Sequence, residues 1–532
     1  MLRPRESTAG DDAPQPAAHP AAPRSTPTGF RSALRRALLP AAGGTLVAAA
    51  GALVAVGCFL GLYLRPTSDD WCAGWKARDL GVLGITADFY TTQNGRIANA
   101  FLSGLVYGDG LAGVKVLPTV IAVTFTLGLV LLGREAVRLL GGRPRVLLLV
   151  ACALVLQALL YYAGPRAYQV LLWAPATISH TVPSVIGVWA LLPAIATVRR
   201  PRTGPRICGY AAAFLIAAGL GTLSEPFALV SGLLAAAVGL VALPRLGLAR
   251  TRRASLWCLF WCSGLVCGLI VLYTSPGARW RRAQQPAGES PLSGAGLRGT
   301  LDGWLHMWGS IAGQWAYLGA AAVGILLGLG CRLRAPARGG REARPAVPRH
   351  MLLAVLLLPV PVVLLGSFAV ALGLRSGYGP DGWTYARTWT SHLALMELAL
   401  CGYGVLLGDR LGRLRAGRPA AAAGRGAAGI TAAGIQAAGI LVSACVALAS
   451  LAVLVPGLQR LTTATVTRSV AWDAQNARIR AEAARGATDV GYRPLYIGNL
   501  AEPFYTSRYD RDWVAACVSK WYGVDRIHRL RR

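Results

Sequence analysis

Apolar runs of about 18 to 23 residues recur along this chain, and a helical run of that length crosses the hydrocarbon core of a bilayer. They fall near 41–63, 112–132, 146–163, 181–198, 207–224, 226–243, 255–274, 310–330, 351–373, 390–408 and 433–455. The pattern predicts an all-α polytopic membrane protein with about eleven transmembrane helices, in which the lipid bilayer is the main solvent.

Charge distribution decides between two readings of a strongly basic chain. The sequence has 54 Lys and Arg against 23 Asp and Glu, a formal net charge of +31. On a soluble domain that surplus would suggest nucleic acid. Here most arginines lie in short segments between apolar runs, the positive-inside signature of cytoplasmic loops, and no nucleic-acid partner is expected. Arg31, Arg35 and Arg36 precede the first run. Arg134, Arg138, Arg143 and Arg145 follow the second, and Arg199, Arg200, Arg202 and Arg206 the fourth. Arg245, Arg250, Arg252 and Arg253 follow the sixth, the arginines of 332–349 the eighth, and Arg410, Arg413, Arg415 and Arg418 the tenth. Every even-numbered exit is basic, which predicts a cytoplasmic N-terminus and an extracytoplasmic C-terminus. Lys76, Lys115 and Lys520 are the only lysines. With abundant Ala and Gly, that bias suggests a GC-rich bacterial genome and hence a bacterial cell membrane.

Three regions follow. Residues 1–40, rich in Pro, Ala and Arg, read as a disordered cytoplasmic tail. Residues 41–456 form the transmembrane domain, interrupted by an outer loop at 64–111. Residues 457–532 form a small extracytoplasmic α/β segment. In it RSVAWDAQNARIRAEAARG reads as a helix ended by Gly486, RPLYIGNL as a strand, and RDWVAACVSKWYGV as a second helix. About 75 residues make a marginal independent core, so docking on the membrane domain is expected. Within the outer loop, Trp71, Trp75, Val82, Ile85 and Phe89 recur at helical spacing. One or two amphipathic helices along the outer membrane surface are predicted, weakened near Gly81 and Gly84. Most of the 11 cysteines fall inside apolar runs, and none forms a zinc-like spacing with the six histidines.

The stretch RPTSDDW (65–71) places two adjacent carboxylates, Asp69 and Asp70, at the mouth of the first span. In the first reading they sit in the opening turn of a helix capped by Thr67 or Ser68. In the second, one is a general base and the other orients it, or either holds a divalent metal. QNGR (93–96) offers a turn at Asn94 and an outer arginine, Arg96, able to grip an anion. YTSPGARWRR (273–282) puts Arg279, Arg281 and Arg282 on the outer side, against the arginine rule. They read as an interfacial cluster meeting headgroups or as a phosphate clamp. His180 in WAPATISHTV, Glu225 in LSEPF and the intramembrane Glu397 are further candidates.

An acidic pair opening the first outer loop resembles the GT-C superfamily of membrane glycosyltransferases, which use lipid-phosphate-linked sugars. The order SDDW, NGR, WAPATISHTVPS, SEP, SPGARWRR and RDWVAACVSKWYGV is similar to a family of uncharacterised bacterial multi-pass proteins related to those enzymes. The resemblance implies Asp69 or Asp70 as catalytic base or metal contact, and Arg279, Arg281, Arg282 and Arg96 as donor-phosphate ligands, with Asn94, His180 and Glu225 supporting. It implies a polyprenyl-phosphate sugar as donor, a cell-envelope glycan or protein as acceptor, and a divalent metal as the one cofactor to test.

Two other classes remain open. A transporter or flippase of lipid-linked saccharide would use intramembrane charges such as Glu397. A non-catalytic envelope scaffold would use its outer carboxylates only as caps. Cys72 and Cys517 are both expected outside, where they are able to pair if the C-terminal segment folds back on the first loop.

Overall fold

The computed structural model describes residues 27–246, 251–284, 290–331, 356–413, 432–497 and 508–530. The tail before residue 27, Arg250, the arginine run at 332–349, Arg415, Arg418 and the last residues of RPLYIGNL lie outside them.

Helix α1 (Pro27–Gly61) begins well before residue 40, so the helix reaches into the stretch read from composition as tail. Pro40 is accommodated inside it. The first loop contributes α2 (Asp69–Asp88) and α3 (Ile97–Tyr107). The bundle continues with α4 (Ala112–Leu139), α5 (Val146–Tyr162), α6 (Val182–Arg199), α7 (Thr203–Gly221), α8 (Glu225–Ala242) and α9 (Arg252–Thr274). A short α10 (Pro276–Gln284) precedes α11 (Gly294–Ala312) and α12 (Leu318–Cys331). Then come α13 (Pro359–Tyr378), α14 (Thr390–Arg413), α15 (Ala432–Ala452), α16 (Val455–Ala484) and α17 (Trp513–Tyr522).

Among the described residues, nine helices are long and apolar enough to cross a membrane. The segments 294–312 and 315–331, bent by 65° at their break, make ten if they form one span. Val146–Tyr162 is apolar but shorter. The chain is a helical multi-pass membrane protein; the sequence-based figure of about eleven spans includes the bent pair and this shorter helix.

Glycine seams hold the bundle. Gly324 and Gly328 of α12 face the carbonyls of Cys401 and Val405 so closely that a Cβ would collide with backbone. Gly404 and Gly408 of α14 face Ala321 and Ile325 in the same way. Two small-xxx-small rows thus interlock, and the helices meet backbone to backbone, the geometry favoured where lipid supplies no hydrophobic drive for association. Gly264 and Gly268 of α9 repeat the arrangement against Phe214 and Ala218 of α7.

The basic segments gather at one end of the bundle. Arg199 pairs with Glu135, Arg253 donates to the carbonyl of Arg200, and the Arg143 N–H donates to the carbonyl of Cys331. At the opposite end the C-terminal segment folds over the first loop. Its two-stranded parallel sheet pairs β1 (Asp489–Tyr492) with β2 (Arg526–Arg529). The strand therefore precedes RPLYIGNL instead of lying in it, and β2 was not foreseen. The predicted helices are present as the C-terminal part of α16 and as α17, with Gly486 at φ 88° after the first. A disulfide joins Cys72 to Cys517.

Candidate functional site

The chain leaves α1 through a short connector that is clamped on both sides. Arg468 of α16 donates to the carbonyls of Arg65 (3.1 Å) and Pro66 (2.7 Å). Arg65 in turn holds the Asp473 carboxylate at 2.7 and 2.8 Å. Ser68, with φ 50°, is the one non-glycine residue among those described that takes a positive φ. That costs on the order of 1–3 kcal/mol and persists where the surroundings over-determine it. Here the clamp lies before Ser68 and the acidic pair immediately after.

One turn of α2 then sends four side chains in four directions. Asp70 is 4% exposed. Its Oδ2 accepts from the Thr67 N–H at 2.8 Å, and its Oδ1 accepts from the Tyr107 hydroxyl of α3. This corrects the expected cap: neither Thr67 nor Ser68 caps α2 through its side chain, and the carboxylate reaches back to the backbone instead. Trp71 is fully buried against Trp472, Tyr492, Trp521 and Tyr522. Cys72 carries the disulfide. Asp69 is partly exposed and lies within electrostatic range of Arg387, Arg281 and Arg96. The amphipathic pattern of the loop is present, with α2 broken at Gly81, where φ is 69°.

Burial raises both carboxyls. For Asp69 the loss of hydration outweighs the opposing pull of Arg387, Arg281 and Arg96. Asp70 is pushed up to about 7, first by burial and further by the neighbouring Asp69, against the hydrogen bonds from Tyr107 and Thr67.

QNGR and SPGARWRR, far apart in sequence, form one unit. Asn94 Oδ1 accepts from the Arg96 N–H at 3.0 Å, an Asx-type turn. Gly95 takes φ 75° and lies so close to Leu272 and Ser275 that no side chain fits. Gly277 of α10 approaches the backbone of Gln93 equally tightly. Arg96 is thereby aimed at Glu225, the first residue of α8, with contacts of 2.9 to 3.2 Å. Three of the sequence candidates, Asn94, Arg96 and Glu225, thus form one chain of contacts beside Asp69.

The arginines of α10 separate. Arg281 lies within range of Asp69. Arg282 donates to the Tyr273 carbonyl at 2.8 Å and lies over the Tyr273 ring. Arg279 is exposed and makes no ion pair among the described residues. His180 is buried in a π-helical turn, Thr177–Thr181, with no partner for Nδ1 among the described residues. Arg96 and Arg387 are within electrostatic range of it.

Sequence reasoning missed Arg387, Tyr107 and Gln169. Arg387 donates to Gln169 Oε1 at 3.1 Å and lies over the rings of Tyr385 (4.8 Å) and Trp173 (5.2 Å). Its signal was available: it follows an odd-numbered run, where the arginine rule leaves arginines unexplained.

The donor set does not fit a divalent cation. Both Asp70 oxygens are occupied by donors, Asp69 faces three guanidinium groups, and among the described residues no three His, Cys, Asp or Glu side chains converge. Electrostatically the surroundings of Asp69 suit an anion. No family model, no curated protein and no solved structure matches this chain.

Proposed function

We propose that the protein is a membrane glycosyltransferase that takes a sugar from a polyprenyl-phosphate donor and passes it to a cell-envelope acceptor. The observation that carries this reading is the largely buried Asp69 carboxylate within electrostatic range of Arg387, Arg281 and Arg96 at the end of the bundle opposite the basic loops. A carboxylate and a set of guanidinium groups are the two things the reaction asks of a protein. The acceptor hydroxyl loses its proton to Asp69 as its oxygen attacks the anomeric carbon. The bond from that carbon to the phosphate oxygen breaks, and the electron pair leaves with the phosphate. Arg281 and Arg387 stabilise the departing charge, and Arg96 is positioned by Glu225 and Asn94. Asp70 holds the turn. A carboxyl raised by burial is a stronger base than an exposed one, which favours Asp69 in its role.

A cytoplasmic N-terminus, which the arginine distribution predicts, fits this reading, as does the disulfide, since such bonds persist outside the cytoplasm. The order of sequence motifs resembling the GT-C superfamily adds to it. Outside the cytoplasm no nucleotide-sugar pool exists, so a membrane-tethered donor is the chemically suitable one. The transporter reading keeps one specific support: Glu397 is 2% exposed, and its Oε1 has no partner among the described residues.

The test is transfer of radiolabel from a panel of polyprenyl-phosphate sugars in membranes containing the protein. Asp69→Asn is expected to lower transfer about hundred-fold or more at equal protein level. Asp70→Asn is expected to lower protein stability more than turnover. Transfer that survives Asp69→Asn would overturn the assignment of the base. Donor flipped across the membrane but never consumed would favour the transporter.

A further inference from the structure

A recess lies at the same end of the molecule and is lined by none of the residues of the Asp69 cluster. It is a cavity of about 420 Å³ between the first loop, the start of α4 and the C-terminal segment. Four cations line it: Arg65, Arg78, Lys115 and Arg480. We propose that this cavity binds an acidic saccharide, with Lys115 and Arg480 holding its anionic group.

Two of the cations are already committed. Arg65 is paired with Asp473 and lies over the Trp472 ring at 6.0 Å. Arg78 pairs with Asp79, donates to the carbonyls of Lys520 and Trp521, and lies over the Trp521 ring at 5.9 Å. These guanidinium groups rest on buried indoles and form a rigid wall. Lys115 and Arg480 differ. Neither has an ion-pair contact among the described residues: Lys115 is within electrostatic range of Asp473, and Arg480 donates to the neutral Asn476 Oδ1 at 3.2 Å and lies over the Tyr522 ring at 5.9 Å. With Asp473 the one carboxylate among the lining residues against four cations, positive charge is left over in the cavity.

The rest of the lining says which anion. Asp473 and Asn476 supply acceptors as well as donors, which a bare phosphate would not use and sugar hydroxyls would. Leu111 is the one aliphatic side chain of the lining, and its other apolar side chains are the indoles of Trp472 and Trp521, which already carry the two committed guanidinium groups. The volume falls within the range of pockets that enclose small ligands, roughly 300–1,000 Å³. A mixed donor–acceptor wall with surplus positive charge matches a carboxylated or phosphorylated sugar better than a lipid headgroup.

The experiment is calorimetric titration of the full-length protein in nanodiscs of zwitterionic lipid. The probes are trigalacturonate, a disaccharide phosphate, neutral maltotriose and inorganic phosphate. At least one acidic saccharide is expected to bind about ten-fold or more tighter than maltotriose, through charge-assisted contacts. The double variant Lys115→Gln/Arg480→Gln is expected to lose that preference with its melting temperature unchanged. Equal binding of maltotriose, displacement by inorganic phosphate at equal concentration, unaltered affinity in the variant, or no binding of either acidic saccharide would each overturn the proposal. Loss of binding on adding an anionic lipid to the nanodiscs would assign the cavity to headgroups and overturn it as well. The titration contains no donor lipid, so its failure leaves the transfer reading standing, and failure of transfer leaves this cavity as argued.

Discussion

The membrane bundle and the cap over its disulfide end are held together by opposite means. In the bundle, side chains are removed so that backbones touch: across the α12–α14 seam Gly324 and Gly328 lie against Cys401 and Val405, and Gly404 and Gly408 against Ala321 and Ile325. In the cap, side chains are the connection. Trp71 sits among four aromatic rings, Cys72 is bonded to Cys517, Arg65 grips Asp473, and Arg468 holds two carbonyls of the connector. The difference teaches where chemistry is placed. A seam of glycines leaves nothing reactive at the contact, whereas a cap built from polar and aromatic groups has charged side chains to spare. Both candidate sites lie in the cap or at its border with the bundle.

The largest expected effect separates the two regions by pH. Asp70 stands at about 7 in the folded cap, well above an unfolded carboxyl. Between pH 4 and pH 7 the folded state therefore holds a proton that the unfolded state has lost. Stability of the cap is fullest near pH 4, falls as pH rises to about 7, and levels off above; the upper bound of the change is about 4 kcal/mol. The glycine seam between α7 and α9 contains no acidic residue, whereas α14 carries the buried Glu397. Hydrogen exchange in detergent at pH 5 and pH 8 checks this: faster opening of α2 at pH 8 with unchanged protection of α7 and α9 is expected. Asp70→Asn should remove the difference, and Asp69→Asn should shrink it, because the Asp69 charge contributes to the rise.

Next is the disulfide. Cys72 and Cys517 are separated by 445 residues. Loop-closure arithmetic overstates the gain, since the spans between them stay inserted when the cap opens. About 3 kcal/mol is expected for Cys72→Ala with Cys517→Ala. Limited proteolysis should then release the C-terminal segment while the bundle stays intact. Equal resistance with and without the bond would mean that the aromatic cluster around Trp71 suffices.

The converse variant acts on the bundle. Gly328→Ala places a methyl group against the Val405 carbonyl and the Asp409 N–H. Forcing α12 from α14 is expected to cost about 2 kcal/mol. Thermal unfolding followed by helix signal should show it, with the disulfide still formed. A neutral result would mean that the seam relaxes as easily as a surface contact.

How much of this could be read in advance differs between the regions for the same physical reason. Span positions are local: twenty apolar residues announce themselves, and each interval named from sequence overlaps a helix. Cap contacts are remote in sequence. Nothing in SDDW reveals that Asp70 turns back to Thr67 and reaches Tyr107, or that Asp69 faces Arg387. The Asx turn at Asn94 was visible, but the tight approach of Gly95 to Ser275, which fastens QNGR to SPGARWRR, was not. Arg387 was hidden among aromatic residues, although the same charge rule that singled out Arg279, Arg281 and Arg282 applied to it. β2 was missed because four residues, RIHR, carry no alternation that a short loop would lack.

The smallest expected effect lies within one helix of the border region. Arg281 and Arg279 sit two positions apart on α10, a spacing that turns them to different faces. Both are exposed, but Arg281 lies within electrostatic range of Asp69, whereas Arg279 is not among the groups acting on it. If the Asp69 cluster receives a phosphate, Arg281→Gln should reduce transfer about ten-fold, the loss of one charge-assisted contact, and Arg279→Gln less than about two-fold. Both should melt alike, because neither side chain packs in the bundle. Equal losses would mean that α10 meets the anion as a diffuse basic surface and that Arg281 has no special place beside the carboxylate. A ratio near ten would fix the direction from which the phosphate approaches, since α10 is anchored to the QNGR turn and has little freedom to move.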